Sequence, residues 1–328
     1  GLIIYLVLCY LTIFRLIFHR NSFDRLIILD CEYSCVSILL IILKLLNWNG
    51  KITLQVNAPN FKYDLNFDGL NIFKILKFIQ SLIFKYSLNL LDLKISCLGN
   101  WHKKELSKQL NFSHKKIVII EDGGGGIIKM IPDKELFRKL RKASIFFPKD
   151  NKKIFLLFGN FRKDKGHLFL SRIWNKYFNS PDDPYLWIVG HDEEKITSAI
   201  LKNNSKNILV HNSYIPFNLI SCIYQKSDYA ILPYLSTYKG GSGPLMKGAF
   251  THSKLALVSN VSEMGRIAAE EKLAEAFIAE NDYSIVSSIK LILKNGSVYY
   301  SEKIKAAYDY ANERDWNNLS KRFIESLE

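Results

Sequence analysis

The segment 154–166 combines glycine with cationic side chains in a pattern suited to binding phosphate. Its apolar run, IFLLF, ends at Gly159-Asn160 and continues into a basic loop that contains Arg162 and Lys165. An apolar run bounded by glycine is typical of a buried parallel strand, and cations near the start of the next helix stabilise an anion. Arg162 can bind a diphosphate through two hydrogen bonds, and Lys165 adds a compact charge. A solvated basic turn is the alternative interpretation.

A second segment, 228–249, has glycines at the same kind of position. The apolar run YAIL ends at a proline, and Gly240, Gly241, Ser242 and Gly243 then lead into a predicted helix. Glycines let backbone N–H groups approach an anion closely, and the dipole of the following helix assists. The loop is neither a Walker loop nor G-x-G-x-x-G. Alone it could be a flexible turn, but paired with the basic loop it predicts a site that holds two phosphates.

Around these loops, apolar runs alternate with helix-length segments, which predicts parallel sheets covered by helices. The fold class is therefore α/β, with two Rossmann-like doubly wound domains facing a cleft. We expect an N-terminal domain at 1–146, a C-terminal domain at 147–307, and a helix at about 308–328 that packs back on the first domain. The predicted strands lie at 26–29, 52–56, 93–96, 117–120, 154–158, 186–189, 208–210, 229–232 and 255–258.

Composition limits the class of protein further. The chain has 328 residues, 48% of them hydrophobic, which suits two globular domains and excludes disorder. Its net charge of +14 is concentrated in residues 1–150. This excess indicates an anionic membrane surface, a nucleic acid or a phosphorylated substrate, or else a solvated lysine-rich surface. Five cysteines without C-x-x-C or zinc spacing predict free thiols and no metal site.

The first eighteen residues are almost entirely apolar, but Arg15 interrupts them. Eighteen residues is the lower limit for a membrane-spanning helix, and a basic n-region and a cleavage site are both missing. We expect a helix that is buried or contacts a membrane. No strand with a glycine loop precedes it, so we expect either a truncated chain or a reduced first domain.

Several segments resemble the bacterial GT-B glycosyltransferases in the right order. GNFRKDKG is similar to the G-x-x-R-x-x-K-G segment that opens the C-terminal domain of that family, and the stretch from SDYAILPY to KLALVS resembles its SG-containing segment. Three further matches are LWIVGH (186–191), SNVSEMGR (259–266) and the tryptophan-containing ERDWNNLSKRF (313–323).

The resemblance implies roles for individual residues. Arg162 and Lys165 would act catalytically on the diphosphate of a UDP- or GDP-linked sugar, with Glu263 as a third candidate. The implied substrate-binding residues are Gly159, Asn160, Tyr214, Ile215, Gly240, Gly241, Ser242, Gly243, Met264 and Gly265. Tyr214 and Ile215 would lie beside the base, and residues 263–265 near the sugar or acceptor.

The sequence also departs from the best-known relatives. Where retaining members carry two glutamates, this chain has Gly240 and Gly248. The second glutamate of those relatives binds the ribose, so that contact is absent or is supplied by another residue. Capsule and exopolysaccharide transferases with S-G at this place are more similar to this chain.

The N-terminal half offers weaker candidates. Asp30 and Glu32 follow a predicted strand and could bind substrate, although solvated caps and turns are the favoured explanation. We expect no nucleic acid partner.

These observations predict a metal-independent, retaining glycosyltransferase without a cofactor, because no D-x-D pair adjoins the glycine loop. Its acceptor would be a glycan or a lipid-linked sugar used in the synthesis of a surface polysaccharide. We expect the enzyme in the cytoplasm, bound peripherally at the inner face of the membrane. Two alternatives remain open: a non-catalytic scaffold of the same fold, and a sugar-nucleotide epimerase.

Overall fold

The chain divides into two compact units, Gly1–Glu121 with Phe323–Glu328, and Asp122–Arg322. The computed structural model describes residues 2–29, 33–59, 61, 72–126, 128, 130–148, 151–202 and 206–327. Both units are α/β, as the alternation of apolar runs predicts.

The first unit contains a parallel sheet in the order β1-β2-β3-β4. Its strands are β1 (Arg25–Ile28), β2 (Lys51–Val56), β3 (Leu93–Cys97) and β4 (Ile117–Ile119), and its helices are α1 (Leu2–Phe18), α2 (Tyr33–Leu45), α3 (Ile72–Ser87) and α4 (Asn100–Leu110). Leu40 and Leu43 of α2 are fully buried in one core with Ile95 of β3. All four strands coincide with predicted ones to within one or two residues.

The second unit contains a six-stranded parallel sheet in the order β10-β9-β8-β5-β6-β7. Its strands are β5 (Ile154–Phe158), β6 (Tyr185–Gly190), β7 (Ile208–Asn212), β8 (Tyr229–Leu232), β9 (Leu255–Ser259) and β10 (Glu275–Phe277). The helices are α5 (Asp133–Lys142), α6 (His167–Tyr177), α7 (Thr197–Leu201), α8 (Phe217–Lys226), a π-helix (Pro244–Phe250), α9 (Ser262–Ala269), α10 (Asp282–Tyr299), α11 (Ser301–Asn312) and α12 (Trp316–Leu327).

The strand order places a switch point between β5 and β8. From β5 the chain moves outward through β6 to β7, then returns to β8 on the other side of β5 and continues to β9 and β10. Phe155 pairs with Tyr229, so β5 and β8 are direct neighbours. In doubly wound sheets, ligands bind at the carboxyl ends of the two strands that flank this point. The basic loop follows β5 and the glycine loop follows β8.

The division between the units lies earlier than the sequence indicated. The sequence does not predict helix α5. Its Leu136 and Leu140 are buried in the same core as Ile154 and Trp187 of the second unit. The second unit therefore begins at Asp122 and not at residue 147. At the other end, Ala311 of α11 lies in this core too, so residues 308–322 belong to the second unit, and only residues from Phe323 onward are grouped with the first.

Two other elements of the second unit were not predicted. Strand β10 has only three residues, Glu275–Phe277, and pairs in parallel with β9. Helix α10 begins after Asn281, whose side-chain oxygen accepts a hydrogen bond from the N–H of Ser284 at 2.9 Å. This is an N-cap that satisfies one of the unpaired donors of the first turn.

Candidate functional site

The loop after β5 is held against the end of β8 by backbone contacts. Gly166 has φ +72°, and a Cβ on it would overlap the carbonyl oxygen of Pro233. Glycine is required there by both the left-handed conformation and the close approach. The N–H of Leu235 donates to the carbonyl oxygen of Asp164 at 2.8 Å. The basic loop and the start of the segment leading to the glycine loop are therefore one local structure.

Arg162 projects from this loop with part of its guanidinium already engaged. Its Nε and Nη2 donate to the two carboxylate oxygens of Asp164 at 3.0 and 2.7 Å. The hydrogen bonds to Asp164 raise the pKa of Arg162, and the guanidinium lies 5.9 Å from the ring centre of Tyr238. Among the described residues, no hydrogen-bond partner contacts Nη1. Those donors remain available for an anion.

Lys165 is a partly buried cation beside the start of the π-helix. Its Nζ lies 3.3 Å from the position that a Cβ on Gly159 would take, and Pro244 Cγ lies 3.5 Å from the same point. The Nζ is 6.0 Å from the ring centre of Tyr234. Burial lowers the pKa of Lys165, and the charge of Arg162 lowers it further. An anion placed here would relieve both effects, because it stabilises the charged form.

In the glycine loop, two backbone carbonyl groups accept hydrogen bonds from side chains. The carbonyl oxygen of Gly240 accepts a hydrogen bond from Ser262 Oγ at 3.2 Å, and that of Gly241 accepts one from the hydroxyl of Tyr238. In a trans peptide the C=O and N–H point in opposite directions. The N–H of Gly241 therefore points away from Ser262, and the N–H of Ser242 points away from the hydroxyl of Tyr238.

Gly243 completes the loop at the amino end of the π-helix. In the part of the chain that the structure describes, no heavy atom outside its chain neighbours and the adjoining helix backbone lies within 4 Å of the position that its Cβ would occupy. The neighbouring Ser242 differs, since its hydroxyl is buried, lies 3.3 Å from the hydroxyl of Tyr234 and accepts from the N–H of Leu245 at 3.3 Å. The side chain of Ser242 is thus engaged within the protein, and its role toward a ligand stays a prediction.

Tyr234 and Tyr238, which the sequence motifs do not identify, contact the glycine loop and help to fix its geometry. Tyr234 and Tyr238 lie with ring centres 4.4 Å apart, and burial raises the pKa of Tyr238 to about 12. Both hydroxyls are therefore neutral hydrogen-bonding groups at physiological pH. In the sequence, the only sign of this pair is the spacing of four residues between the two tyrosines in LPYLSTY.

His167, the first residue of α6, was also missed. It is 1% exposed, and its Nδ1 lies 3.2 Å from the carbonyl oxygen of Arg162. Burial lowers the pKa of His167 to about 4. The neutral ring, with Nδ1–H donating to Arg162, holds the turn that carries the two cations.

We expect protein stability to depend on pH through His167. The folded-state pKa of about 4 is below the unfolded value of 6.5, so the unfolded chain takes up the proton first as pH falls. The contribution of His167 is complete above about pH 6.5 and falls by roughly 3 kcal/mol as the pH drops to 4. Urea unfolding at a series of pH values will measure it.

The variant H167Q should lose much of this pH dependence, whereas H114Q, at an exposed histidine of the first unit, should keep it. Equal slopes in wild type and H167Q would contradict the assignment.

The three candidates at 263–265 have different environments. Glu263 is buried, and its carboxylate is ion-paired with Arg266 one turn along α9. Met264 is buried in the core. A Cβ on Gly265 would lie 2.5 Å from the carbonyl carbon of Asn260, so this glycine allows close packing of α9 on the preceding loop. Their roles toward a ligand stay predictions.

Gly248, where relatives carry a glutamate, lies against an aromatic ring. A Cβ on Gly248 would overlap the phenol of Tyr224, whose hydroxyl donates to the carbonyl oxygen of Pro244 at 3.0 Å. Tyr224 also stacks on His252, with ring centres 4.9 Å apart. The space that a side chain at this position needs is therefore filled.

The remaining predicted residues lie as follows. Tyr214 is 79% exposed, and Ile215 beside it is buried in the core of the second unit. The exposed side-chain amide of Asn160 donates to the carboxylate of Glu193. Asp30 and Glu32 lie outside the described residues.

Comparison with known proteins identifies structural relatives only. No family model and no curated protein sequence matches the chain. Among solved structures, it is similar to a glycosyltransferase from Rickettsia africae, with 16% identity, a TM-score of 0.72, and coverage of 97% of this chain and 79% of that one. Sucrose-phosphate synthase from Thermosynechococcus elongatus has 12% identity and a TM-score of 0.71, with coverage of 94% of this chain and 74% of that one. HepE from Anabaena, solved in complex with UDP, has 9% identity and a TM-score of 0.70, with coverage of 96% of this chain and 81% of that one.

Proposed function

Because the chain has the GT-B fold of two Rossmann-like units, we propose that it is a glycosyltransferase. It would move a sugar from a UDP- or GDP-linked donor to a glycan or lipid-linked acceptor during synthesis of a surface polysaccharide of the capsule or exopolysaccharide type. One observation carries the proposal. The basic loop after β5 and the end of the glycine loop after β8 come together, since Lys165 Nζ and Pro244 Cγ lie 3.3 and 3.5 Å from the position of a Cβ on Gly159, and a nucleotide diphosphate would bind there.

The reaction requires stabilisation of the leaving diphosphate. As the bond between the sugar and the diphosphate breaks, negative charge grows on the phosphate oxygens. Lys165, the Nη1 donors of Arg162 and the N–H groups of the glycine loop would bind that charge. Since all are fixed before the ligand arrives, they need little reorganisation as charge develops.

The other predicted residues are assigned around this centre. Tyr214 and Ile215 would contact the base, Gly159 and Asn160 would lie beside the diphosphate, and residues 263–265 would lie near the sugar. We propose retention of configuration, because the carboxylate of Glu263 is engaged with Arg266 and is not offered as a general base. Proton NMR of the anomeric centre of the product tests this directly.

A donor panel tests the proposal as a whole. Thermal shift and titration calorimetry with UDP-, GDP-, ADP-, dTDP- and CMP-sugars should give one nucleotide with a clear stabilisation, followed by sugar transfer to membrane lipid extracts or glycan. Binding of none of these donors would contradict it.

We expect donor binding to be independent of divalent cations. The charge of the diphosphate would be met by Arg162, Lys165 and backbone N–H groups, so EDTA should change the calorimetric dissociation constant by less than about twofold. A loss of affinity in EDTA that Mg²⁺ or Mn²⁺ restores would show that a metal carries part of the charge.

Tyr238 should affect donor affinity without contacting the nucleotide. Y238F removes the hydrogen bond to the Gly241 carbonyl but keeps the ring beside Arg162, so we expect donor affinity to fall about fivefold. Calorimetry against Y283F, at a tyrosine that is exposed on α10, supplies the matched control. An unchanged affinity in Y238F would mean that the loop holds its shape without this bond.

A non-catalytic scaffold of the same fold is the second candidate, and Gly240 and Gly248 in place of two glutamates favour it. A scaffold would bind a nucleotide sugar without hydrolysis or transfer. An epimerase would convert the donor with no acceptor present, which NMR detects in the same samples.

We place the enzyme in the cytoplasm, peripheral at the inner face of the membrane. In the described ranges, no helix combines the length and apolar character needed to cross a bilayer. The positive charge of residues 1–150 supports contact with anionic lipid headgroups.

A further inference from the structure

A cavity of about 600 Å³ lies at the amino ends of strands β1 and β2 in the first unit. Its walls come from the two segments that lead into these strands, within residues 20–25 and 46–51. A volume of this size accommodates a small organic ligand. In doubly wound sheets the nucleotide binds at the opposite edge, where the strands end. We call this space the amino-end cavity.

Three cations line the amino-end cavity, and two of them are neighbours in the sheet. Arg25 begins β1 and is paired in register with Lys51, which begins β2, so their Cα atoms are about 4.8 Å apart. Such like charges repel, and in the part of the chain that the structure describes neither side chain has a hydrogen bond or an ion pair. The guanidinium of Arg20, the third cation, hydrogen-bonds among the described residues only to the carbonyl oxygen of Ile17, at 3.2 Å from Nη1. An anion in the cavity would relieve the repulsion and satisfy these donors.

The other polar side chains of the cavity suit hydroxyl groups. Asn21, Asn47, Asn49 and Asp24 line it, and within the described ranges none of these four side chains has a hydrogen-bond or ion-pair partner. An amide both donates and accepts, and a carboxylate accepts, so these groups pair with O–H groups. Asp24 would repel a bare anion but would accept a hydrogen bond from a hydroxyl. A ligand that carries one phosphate and several hydroxyls therefore matches the whole set.

Trp48 joins the two walls of the cavity and fixes its shape. The buried indole donates through Nε1 to the carbonyl oxygens of Arg20 and Phe23 at 3.0 and 3.3 Å. The N–H of Lys51 donates to the carbonyl oxygen of Asp24 at 2.8 Å. Because the backbone of both walls is ordered in the folded protein, a ligand would bind with little further loss of conformational entropy.

We infer that the amino-end cavity binds a phosphorylated monosaccharide. The phosphate contacts Arg25 and Lys51, with Arg20 beside them, and the sugar hydroxyls contact Asp24 and the three amides. The inference goes beyond the proposed sugar transfer and does not depend on it, since all of these groups lie in the first unit and the loops after β5 and β8 lie in the second.

Titration calorimetry of the full chain tests the inference with the phosphates of glucose, mannose and N-acetylglucosamine, each compared with the free sugar and with inorganic phosphate. Wild type should bind at least one sugar phosphate about tenfold or more tightly than either fragment, because only the whole ligand engages both sets of groups. The double variant R25Q/K51Q should weaken this binding by at least about tenfold. The matched control, K104Q/K108Q, changes two exposed lysines of α4 that do not line the cavity and should bind as wild type does.

A change at Asp24 separates recognition of the sugar from recognition of the phosphate. D24A removes an acceptor for hydroxyls and a negative charge, so it should weaken binding of the sugar phosphate several-fold and leave inorganic phosphate bound as well as before or better. Urea unfolding shows that the variants are folded. R25Q/K51Q should unfold at or above the wild-type urea concentration, because it removes the repulsion between two neighbouring cations.

Binding of none of the sugar phosphates, or equal binding by wild type and R25Q/K51Q, would overturn the inference. Equal affinities for sugar phosphate and inorganic phosphate would also overturn it and would make the cavity a site for bare anions. Loss of the binding in K165A would place the ligand at the loops of the second unit instead. The proposed function is measured separately with nucleotide sugars, which R25Q/K51Q should bind as wild type does. Binding of a sugar phosphate without binding of any nucleotide sugar would leave the cavity assigned and the transferase proposal wrong.

Discussion

Replacing Arg162 and Lys165 with alanine is expected to reduce kcat for sugar transfer by roughly 10²–10³-fold for each single change. Both cations would act on charge that grows as the bond between sugar and diphosphate breaks, so their loss should raise the barrier more than it weakens the ground state. R162K should recover only part of the rate, because lysine cannot replace the planar guanidinium that Asp164 orients. Steady-state kinetics with the donor found in the panel will separate kcat from KM.

The adjacent Lys163 supplies the control. It is exposed in the same loop, so K163A keeps the local backbone and removes an equal charge. We expect its kcat to lie within about twofold of wild type, since exposed charges contribute little. If K163A and K165A lowered kcat equally, the general basicity of the loop, and not the partly buried position of Lys165, would carry the effect.

Restoring the second glutamate of the relatives is expected to destabilise the protein. G248E would place a side chain where the phenol of Tyr224 lies and would bury a carboxylate in the core. Overpacking and burial of a charge each cost a few kcal/mol, so we expect the free energy of unfolding to fall by about 3 kcal/mol or more. Urea denaturation measures this change. The double variant Y224A/G248E should recover part of the loss by making room.

A glutamate five residues earlier should behave in the opposite way. The position of a Cβ on Gly243 has open space around it, so G243E should unfold at nearly the urea concentration of wild type. Its carboxylate would nevertheless lie at the amino end of the π-helix, where it should exclude a diphosphate and abolish donor binding. A folded G243E that binds the donor normally would remove the glycine loop from the site.

The sequence predicted the sheets well because most strands are buried on both faces. IFLLF, YAIL and LALV are continuous apolar runs, and each one is a strand in the structure. Strand β10 lacks this signal, since Glu275 and Ala276 are not buried. Helix α5 was missed because its sequence, DKELFRKLRK, is mostly charged and buries only Leu136 and Leu140. With α5 unassigned, the boundary between the units was placed too late.

The sequence predicts the two loops of the candidate site, but it does not predict the contacts that hold them in shape. The charges at 162 and 165 are visible in the sequence. The hydrogen bond of Ser262 to Gly240 joins residues 22 positions apart in the chain, and no local pattern encodes it. Tyr238 and Gly241 are only three residues apart, but their hydrogen bond forms only in the folded turn of the loop. The contact of Tyr224 with Gly248 is of the same kind: only the packing of α8 on the π-helix shows that the missing glutamate has no space.

The two tied carbonyls of the glycine loop have a thermodynamic consequence. A glycine-rich segment would ordinarily lose much conformational entropy when a ligand orders it. Here Tyr238 and Ser262 restrict the loop within the folded protein itself, so that ordering takes place during folding and not during binding. Nucleotide binding should then show a favourable enthalpy with only a small entropic penalty, and the loop backbone should hardly move between the empty and occupied states.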